Sequence, residues 1–340
     1  MTDLSTQAKE LLFEAGGNGV SPSPSEILHA FITDRLPAAG EPLAEAAAHH
    51  FAAPGKMLRA KMALRAADLL NVDQRAALHW AAAIEVLHNA SLIHDDICDG
   101  DKLRRGRPAV WSVYGRDVAL TLGDWMIALA FELAAEAAQR SQTTLLMKIL
   151  ATHMKTTTLG EAREFDIRPV TDWHQYLKGA GDKTAPLLTA PLEGVAAMAL
   201  HGSAAATIGD CFRALGNAYQ IANDILNFSG DDGANTCGSD LGRRAPNGVV
   251  VLFRQGLTGD ELFRFDSWYA SGEVGGLEAW VKSLRNSPAP ALAADRMNAL
   301  LDDATCSAAK LPAELNAVIT PIQQLLQQVC LKSVASLKKV

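Results

Sequence analysis

The chain has 340 residues, 49% hydrophobic and 20% charged, an ordinary balance for a soluble globular protein with a sizeable core. A net charge of −7 argues against general nucleic-acid binding, so an anionic ligand would need a local basic cluster. The five cysteines (Cys98, Cys211, Cys237, Cys306, Cys330) are odd in number, widely spaced and without a CxxC pair. That usage excludes a disulfide frame or zinc site and points to a cytoplasmic protein.

Alanine and leucine dominate and β-branched alternation is scarce, which predicts an all-α fold. No apolar run reaches the length of a membrane span, and MTDLSTQAKELLFEAGG lacks a signal peptide's basic start and apolar middle. In chain order, residues 3–14 predict a short helix ended by Gly16-Gly17. Ser23 or Ser25 can cap a helix from Glu26, PAAGEP breaks it, and Leu43–His50 is helical again. Gly55-Lys56-Met57-Leu58-Arg59 opens a helix through Leu70, with Lys56 and Arg59 placed to reach one anion from its N-terminus. Asn71-Val72-Asp73 caps a central helix that ends in DDICD.

That end is the focus of the chain. Asp95 and Asp99 are four apart and share a helix face, with Ser91 and His88 below them. Two carboxylates stacked one turn apart repel unless a cation lies between them. Arg104-Arg105-Gly106 follows directly, so hard oxygen ligands stand beside phosphate-binding arginines, a combination that suits Mg²⁺ and a substrate phosphate. Cys98, inside the run, reads as a spacer.

Downstream, VALTLGDWMIALAFELAAEAAQ predicts a buried helix carrying Asp124 and Trp125, and 143–168 and 174–200 predict further helices, the latter with Lys183-Thr184 in apolar surroundings. The helix 205–229 carries Gln220, Asn223, Asp224 and Asn227, and with Asp231 these fall at steps of three or four, forming one polar stripe. A buried stripe of this kind needs partners. A magnesium–diphosphate cluster in a central cavity would supply them. Residues 231–246 read as loop and 248–340 as amphipathic helices broken at Gly256, Gly272, 286–290 and Pro312, with Pro321 starting the last. No repeat, linker or domain boundary is evident, so residues 1–340 read as one domain.

These residues resemble those of the trans-prenyltransferases, the farnesyl, geranylgeranyl and longer polyprenyl diphosphate synthases. The resemblance runs from about Gly55 to Val250 and rests on GKMLR, EVLHNASLIHDDICD, LRRGRPAVW, Gly123-Asp124, KTA at 183–185, YQIANDILN and GSDL. It implies an isoprenoid-synthase-type bundle of helices around a deep cavity, a homodimer, and prenyl diphosphate substrates. It implies that Asp95 and Asp99 bind two Mg²⁺ on the allylic diphosphate with Asp96 supporting them. Lys56, Arg59, His88 and Arg105 would hold isopentenyl diphosphate, Arg104 and Lys183 would grip the allylic diphosphate, and Thr184 and Gln220 would flank the reacting carbons. Small residues at Ala90 and Ser91 imply a product of geranylgeranyl size or longer, unless Trp125 closes the cavity lower down.

The chain departs from the family at its second acidic motif, here Asn223-Asp224-Ile225-Leu226-Asn227. Amides replace the outer acids, and amides are weaker Mg²⁺ ligands because they bring no charge. Asn235 and Ala245 stand where the family has lysines, with Arg243 and Arg244 as candidate substitutes. Asn223, Asn227 and Asp231 also match the spacing of the metal triad of class I terpene cyclases. The expected activity is chain elongation; the alternatives are a cyclase or atypical prenyltransferase on the same scaffold, and a catalytically weak regulatory subunit.

Overall fold

The computed structural model describes residues 23–165, 172–229 and 237–337. The helix expected over 3–14, Asp166, Asp231 and Asn235 lie outside the described residues. The elements are α1 (Pro24–Thr33), α2 (Ala44–Phe51), α3 (Leu58–Leu69), α4 (Gln74–Asp99), a hairpin of β1 (Leu103–Arg104) and β2 (Arg107–Pro108), α5 (Val110–Tyr114), α6 (Arg116–Ser141) and α7 (Leu145–Ala162). They continue with α8 (Trp173–Thr184), α9 (Pro186–Met198), α10 (Ala205–Ser229), α11 (Ser239–Arg243), α12 (Gly248–Gly256), α13 (Gly259–Ser271), α14 (Leu277–Arg285), α15 (Ala289–Ala308) and α16 (Ala313–Leu337). The all-α expectation holds apart from the two-residue strands.

Two compact units are formed. The first combines the chain up to His153 with Leu187–Ala205 and Ala313–Val318. Its frame is α4 against α6, each 26 residues long. Asp73 starts α4 by accepting the Ala76 N–H at 2.8 Å, and Gly100, at φ 71°, stops it directly after Asp99. The α4–α6 crossing is close because Gly123 has no side chain: a Cβ there would stand 2.1 Å from His94 Nε2. Trp80 of α4 is fully buried, donates to the Pro191 carbonyl at 3.1 Å, and occupies the space a Cβ at Gly194 would need. Contrary to the sequence reading, α6 is long and apolar enough to cross a membrane, with a mean hydropathy of 1.6. Its Ala119, Leu122, Met126, Ala130 and Leu133 are buried, as core positions of a packed helix are.

The second unit combines 154–186, 206–312 and 319–340. An aromatic cluster organises its far end, with Phe265 at 5.1 Å from Trp280 and 5.5 Å from Phe253 between ring centres. Three sequence expectations change. The run 174–200 is two helices, because Pro186 cannot continue α8 and instead opens α9 with its preset φ. The stretch 231–246 contains the short helix α11. Pro321 lies inside α16 and does not start it. A helix-interior proline costs about 3 kcal/mol. Leu315, Val318, Ile319 and Ile322 are buried on either side of it, and each contributes about 1.5–3 kcal/mol through burial.

Candidate active site

In the first unit the last turn of α4 sorts its three aspartates by environment. Asp96 is 2% exposed and is bound through Oδ1 by Arg104, with Nε at 2.8 Å and Nη2 on the same oxygen. Burial raises the Asp96 pKa and Arg104 opposes the rise. Asp95 is half-buried and Asp99 exposed, one turn apart on one face. Asp96 is engaged by Arg104, while Asp95 and Asp99 carry hard oxygen donors on a shared helix face. That donor chemistry fits a divalent cation of the Mg²⁺ or Ca²⁺ type.

Behind the acids lies a basic nest. The His88 pKa is pushed well below the usual histidine range by burial, then by Arg59, Arg105 and Arg104, so its ring is neutral. Arg105 stands in the hairpin turn, where it and Gly106 take φ of 54° and 75°, the mirror-image geometry that joins two-residue hairpins. Its guanidinium lies across Gly55, where a Cβ would come within 2.5 Å of Nη2. Nη1 donates to the Ala53 carbonyl at 2.8 Å and Nη2 to Asn89 Oδ1 at 3.3 Å. Arg59, in the first turn of α3, works against buried Glu85, whose pKa is raised by burial and pulled back by Arg59 and by the Ala60 N–H at 3.4 Å. Lys56 is exposed two residues before α3. Arg59, Arg104 and Arg105 all act on His88, so these four residues fall in one neighbourhood. Of the proposed cavity-wall residues, Ala90 is fully buried, Ser91 folds its hydroxyl back to the His88 carbonyl at 2.8 Å, and Trp125 is half-buried on α6.

Sequence reasoning missed His50, Glu85 and Asn89. The available signal was a Glu and an Asn four apart within an otherwise alanine-rich buried helix, an arrangement that must find polar partners.

In the second unit Lys183 sits between Glu164 and Glu161, at 2.6 and 2.8 Å. Burial works against its charge, but the two carboxylates outweigh it and hold the ammonium above the usual lysine range. The approach depends on Gly160, since a Cβ there would meet the Lys183 backbone nitrogen at 2.4 Å. Half-buried Thr184 packs its methyl against Gly216 of α10.

The polar stripe on α10 divides. Asn223 and Gln220 are half-buried. Asp224 is 1% exposed and carries three bonds: Gln220 Nε2 at 2.9 Å on Oδ1, and Tyr176 Oη at 2.6 Å and the Gly248 N–H at 2.5 Å on Oδ2. Burial raises its pKa to about 7, against these three bonds. Asn227, 3% exposed, donates to Ser239 Oγ at 2.8 Å and accepts the Asp240 N–H at 3.3 Å. Asp224 therefore tethers the start of α12, and Asn227 the start of α11. An amide suits position 227 because one group must both donate and accept. The candidate substitution by Arg244 does not hold. Its guanidinium is spent on the carbonyls of Leu241, Gly242, Trp268, Tyr269 and Glu273 and lies 4.0 Å over the Trp268 ring. Arg243 is exposed and pairs with Asp240 at 3.1 Å.

An acid-bearing helix end and an arginine–histidine group thus sit in an all-helical frame. The polyprenyl synthetase model matches residues 41–269. A geranylgeranyl diphosphate synthase of Saccharolobus solfataricus is 35% identical over 197 residues, covering 56% of this chain, and the chain spans 59% of that relative's length. An all-trans-nonaprenyl-diphosphate synthase (geranyl-diphosphate specific) of Rhodobacter capsulatus is 30% identical over 71% of this chain and 74% of its own. A polyprenyl synthase of Caulobacter crescentus, crystallised with calcium and isoprenyl diphosphate, has 27% identity and a TM-score of 0.73, with 88% and 92% of the two chains covered. The chain belongs to the polyprenyl synthetase family.

Proposed function

We propose that the protein condenses an allylic prenyl diphosphate with isopentenyl diphosphate to give a longer all-trans prenyl diphosphate. The observation that carries this is that Arg59, Arg105 and buried His88 act on one another in the same unit that bears Asp95 and Asp99 on one helix face. A cation nest and an acid pair serve two diphosphates, and a cyclase needs only one. The matched relatives are named for the same type of product.

In this reading Arg59, Arg105, His88 and Lys56 orient isopentenyl diphosphate, and neutral His88 contributes hydrogen bonding without a charge. Asp95 and Asp99 would hold the metal for the allylic diphosphate, and Arg104 and Lys183 would add positive charge to that diphosphate. Lys183 would exchange part of its present pairing with Glu161 and Glu164 for the ligand. Two or three divalent ions held there, Mg²⁺ by donor type, would supply Lewis-acid stabilisation of the diphosphate leaving group. Thr184 and Gln220 offer dipoles to a developing carbocation without attacking it. As the allylic C–O bond breaks, the isopentenyl double bond attacks the cation, and the released diphosphate takes the proton whose loss restores a double bond. Asn223 stays as a weak third-metal ligand, together with Asp231. Small residues at Ala90 and Ser91 favour a product of geranylgeranyl size or longer. We further read the whole chain as one catalytic domain, acting as a cytoplasmic homodimer.

The test is incubation with Mg²⁺ and dimethylallyl, geranyl, farnesyl or geranylgeranyl diphosphate, each with and without isopentenyl diphosphate. Longer diphosphates formed only when both partners are present support elongation. Hydrocarbon or alcohol formed without isopentenyl diphosphate refutes it.

A further inference from the structure

Asn89 lies on the buried side of α4, 3% exposed, one turn after Glu85. Its Nδ2 donates to the Glu85 carbonyl at 2.7 Å, which fixes the amide rotamer and turns Oδ1 toward the basic nest. Oδ1 lies 2.9 Å from His50 Nε2 and accepts from Arg105 Nη2 at 3.3 Å. A carbonyl oxygen can only accept, so the His50 proton is on Nε2. The other Arg105 anchor is the Ala53 carbonyl.

The two oxygens that accept from Arg105 are neutral, and the buried Glu85 carboxylate acts on it through charge. Arg104, one residue earlier, is held by the Asp96 carboxylate. Adjacent guanidinium groups are therefore held differently: Arg104 by direct contact with a carboxylate, and Arg105 by two neutral acceptors that fix its direction. His50 fits the same design. Burial pushes its pKa down to about 4, the Asn89 bond opposing and Arg105 reinforcing the fall, so it supplies a donor without adding a competing cation.

We infer that Asn89, backed by His50, is a positioning residue that aims Arg105 at a diphosphate and so sets the affinity for isopentenyl diphosphate. This rests on the elongation reading. It deepens that reading by naming residues that touch neither substrate.

The test compares Asn89→Ala, Asn89→Asp, His50→Gln and His50→Phe with the wild type in melting temperature and in KM for each substrate. Calorimetric affinity for inorganic diphosphate without metal is the readout independent of turnover. Asn89→Ala should raise KM for isopentenyl diphosphate about tenfold, the scale of one charge-assisted hydrogen bond, with KM for the allylic substrate within about twofold. Asn89→Asp keeps an acceptor but brings a negative charge, and should weaken diphosphate binding as much. His50→Gln retains an N–H and should stay close to wild type, whereas His50→Phe should follow Asn89→Ala. Unchanged diphosphate affinity in a folded Asn89→Ala, or a joint rise of both KM values, overturns the inference. Should Asn89→Ala fail to fold, the two His50 variants decide: equal affinities for inorganic diphosphate overturn it. If the wild type forms no longer diphosphate, the elongation reading fails, and the calorimetric comparison still decides the role of Asn89.

Discussion

Tyr176 donates its phenolic proton to Asp224 Oδ2 at 2.6 Å, and the same oxygen accepts the Gly248 N–H at 2.5 Å. The one carboxylate retained in the second motif is thus a buried junction between α8, α10 and α12. A Cβ on Gly248 would come within 2.8 Å of the Tyr176 ring, so the junction leaves no room for a side chain at the start of α12.

That junction has a pH signature. Burial raises the Asp224 pKa from 3.8 to about 7, so between those values the unfolded chain loses this proton before the folded one does. The contribution is fully present below about pH 4, falls as pH rises, and is gone above about pH 7. The difference in unfolding free energy between wild type and Asp224→Asn should move against the wild type across this window and be flat above it. Urea melts at pH 4.5, 6 and 8 measure it; a pH-independent difference would mean that Asp224 ionises normally.

Asn227→Asp should destabilise the fold by about 1–3 kcal/mol in the absence of metal. The new carboxylate would have to share a buried site with nearby acids, since Asp240 Oδ2 already accepts from Asn247 Nδ2 at 3.0 Å. Thermal unfolding in chelator checks this. An unchanged midpoint would show that the Asn227 tether to α11 carries no weight.

Arg244→Lys should lose about 2–4 kcal/mol, because an ammonium cannot reproduce a planar fork that serves several carbonyls and stacks on Trp268. The KM for allylic diphosphate should stay within about twofold, as a diphosphate role is not open to this side chain. A tenfold rise in KM with an unshifted melting temperature would reverse that conclusion.

The aspartates of α4 should separate by phenotype. Asp95→Ala should abolish turnover, a fall of at least about a hundredfold, with little change in stability. Asp96→Ala removes the partner of part-buried Arg104 and should cost about 3–5 kcal/mol. Parallel calorimetry and steady-state kinetics distinguish them; full activity in Asp95→Ala would remove the metal role given to that residue.

Much of this was readable from residue order. The i, i+4 spacing of Asp95 and Asp99, the arginines straight after them and the cap at Asp73 are local signals, and local signals survive without a fold. What could not be read depends on partners distant in sequence. Nothing near Asn89 announces that its acceptor serves His50 and Arg105, 39 and 16 residues away. The stripe on α10 looked uniform because periodicity reports a face, not what the face meets. Only packing shows that Asp224 is spent on Tyr176 and Asn227 on Ser239. The same limit produced the error at Pro321, where apolar burial on both sides overrides a local breaker.

The hairpin that carries Arg104 and Arg105 pairs only two residues on each side, Leu103 with Pro108 and Arg104 with Arg107. With so short a ladder, loop length alone dictates which arginine occupies the strand and which the turn. Inserting or deleting a single residue would shift the pleat by one, turning Arg104 away from Asp96 and Arg105 away from Ala53 and Asn89. Point substitutions can be absorbed here one at a time. A change in loop length would have to rebuild both contacts at once, so this turn is closed to the gradual lengthening that surface loops usually tolerate.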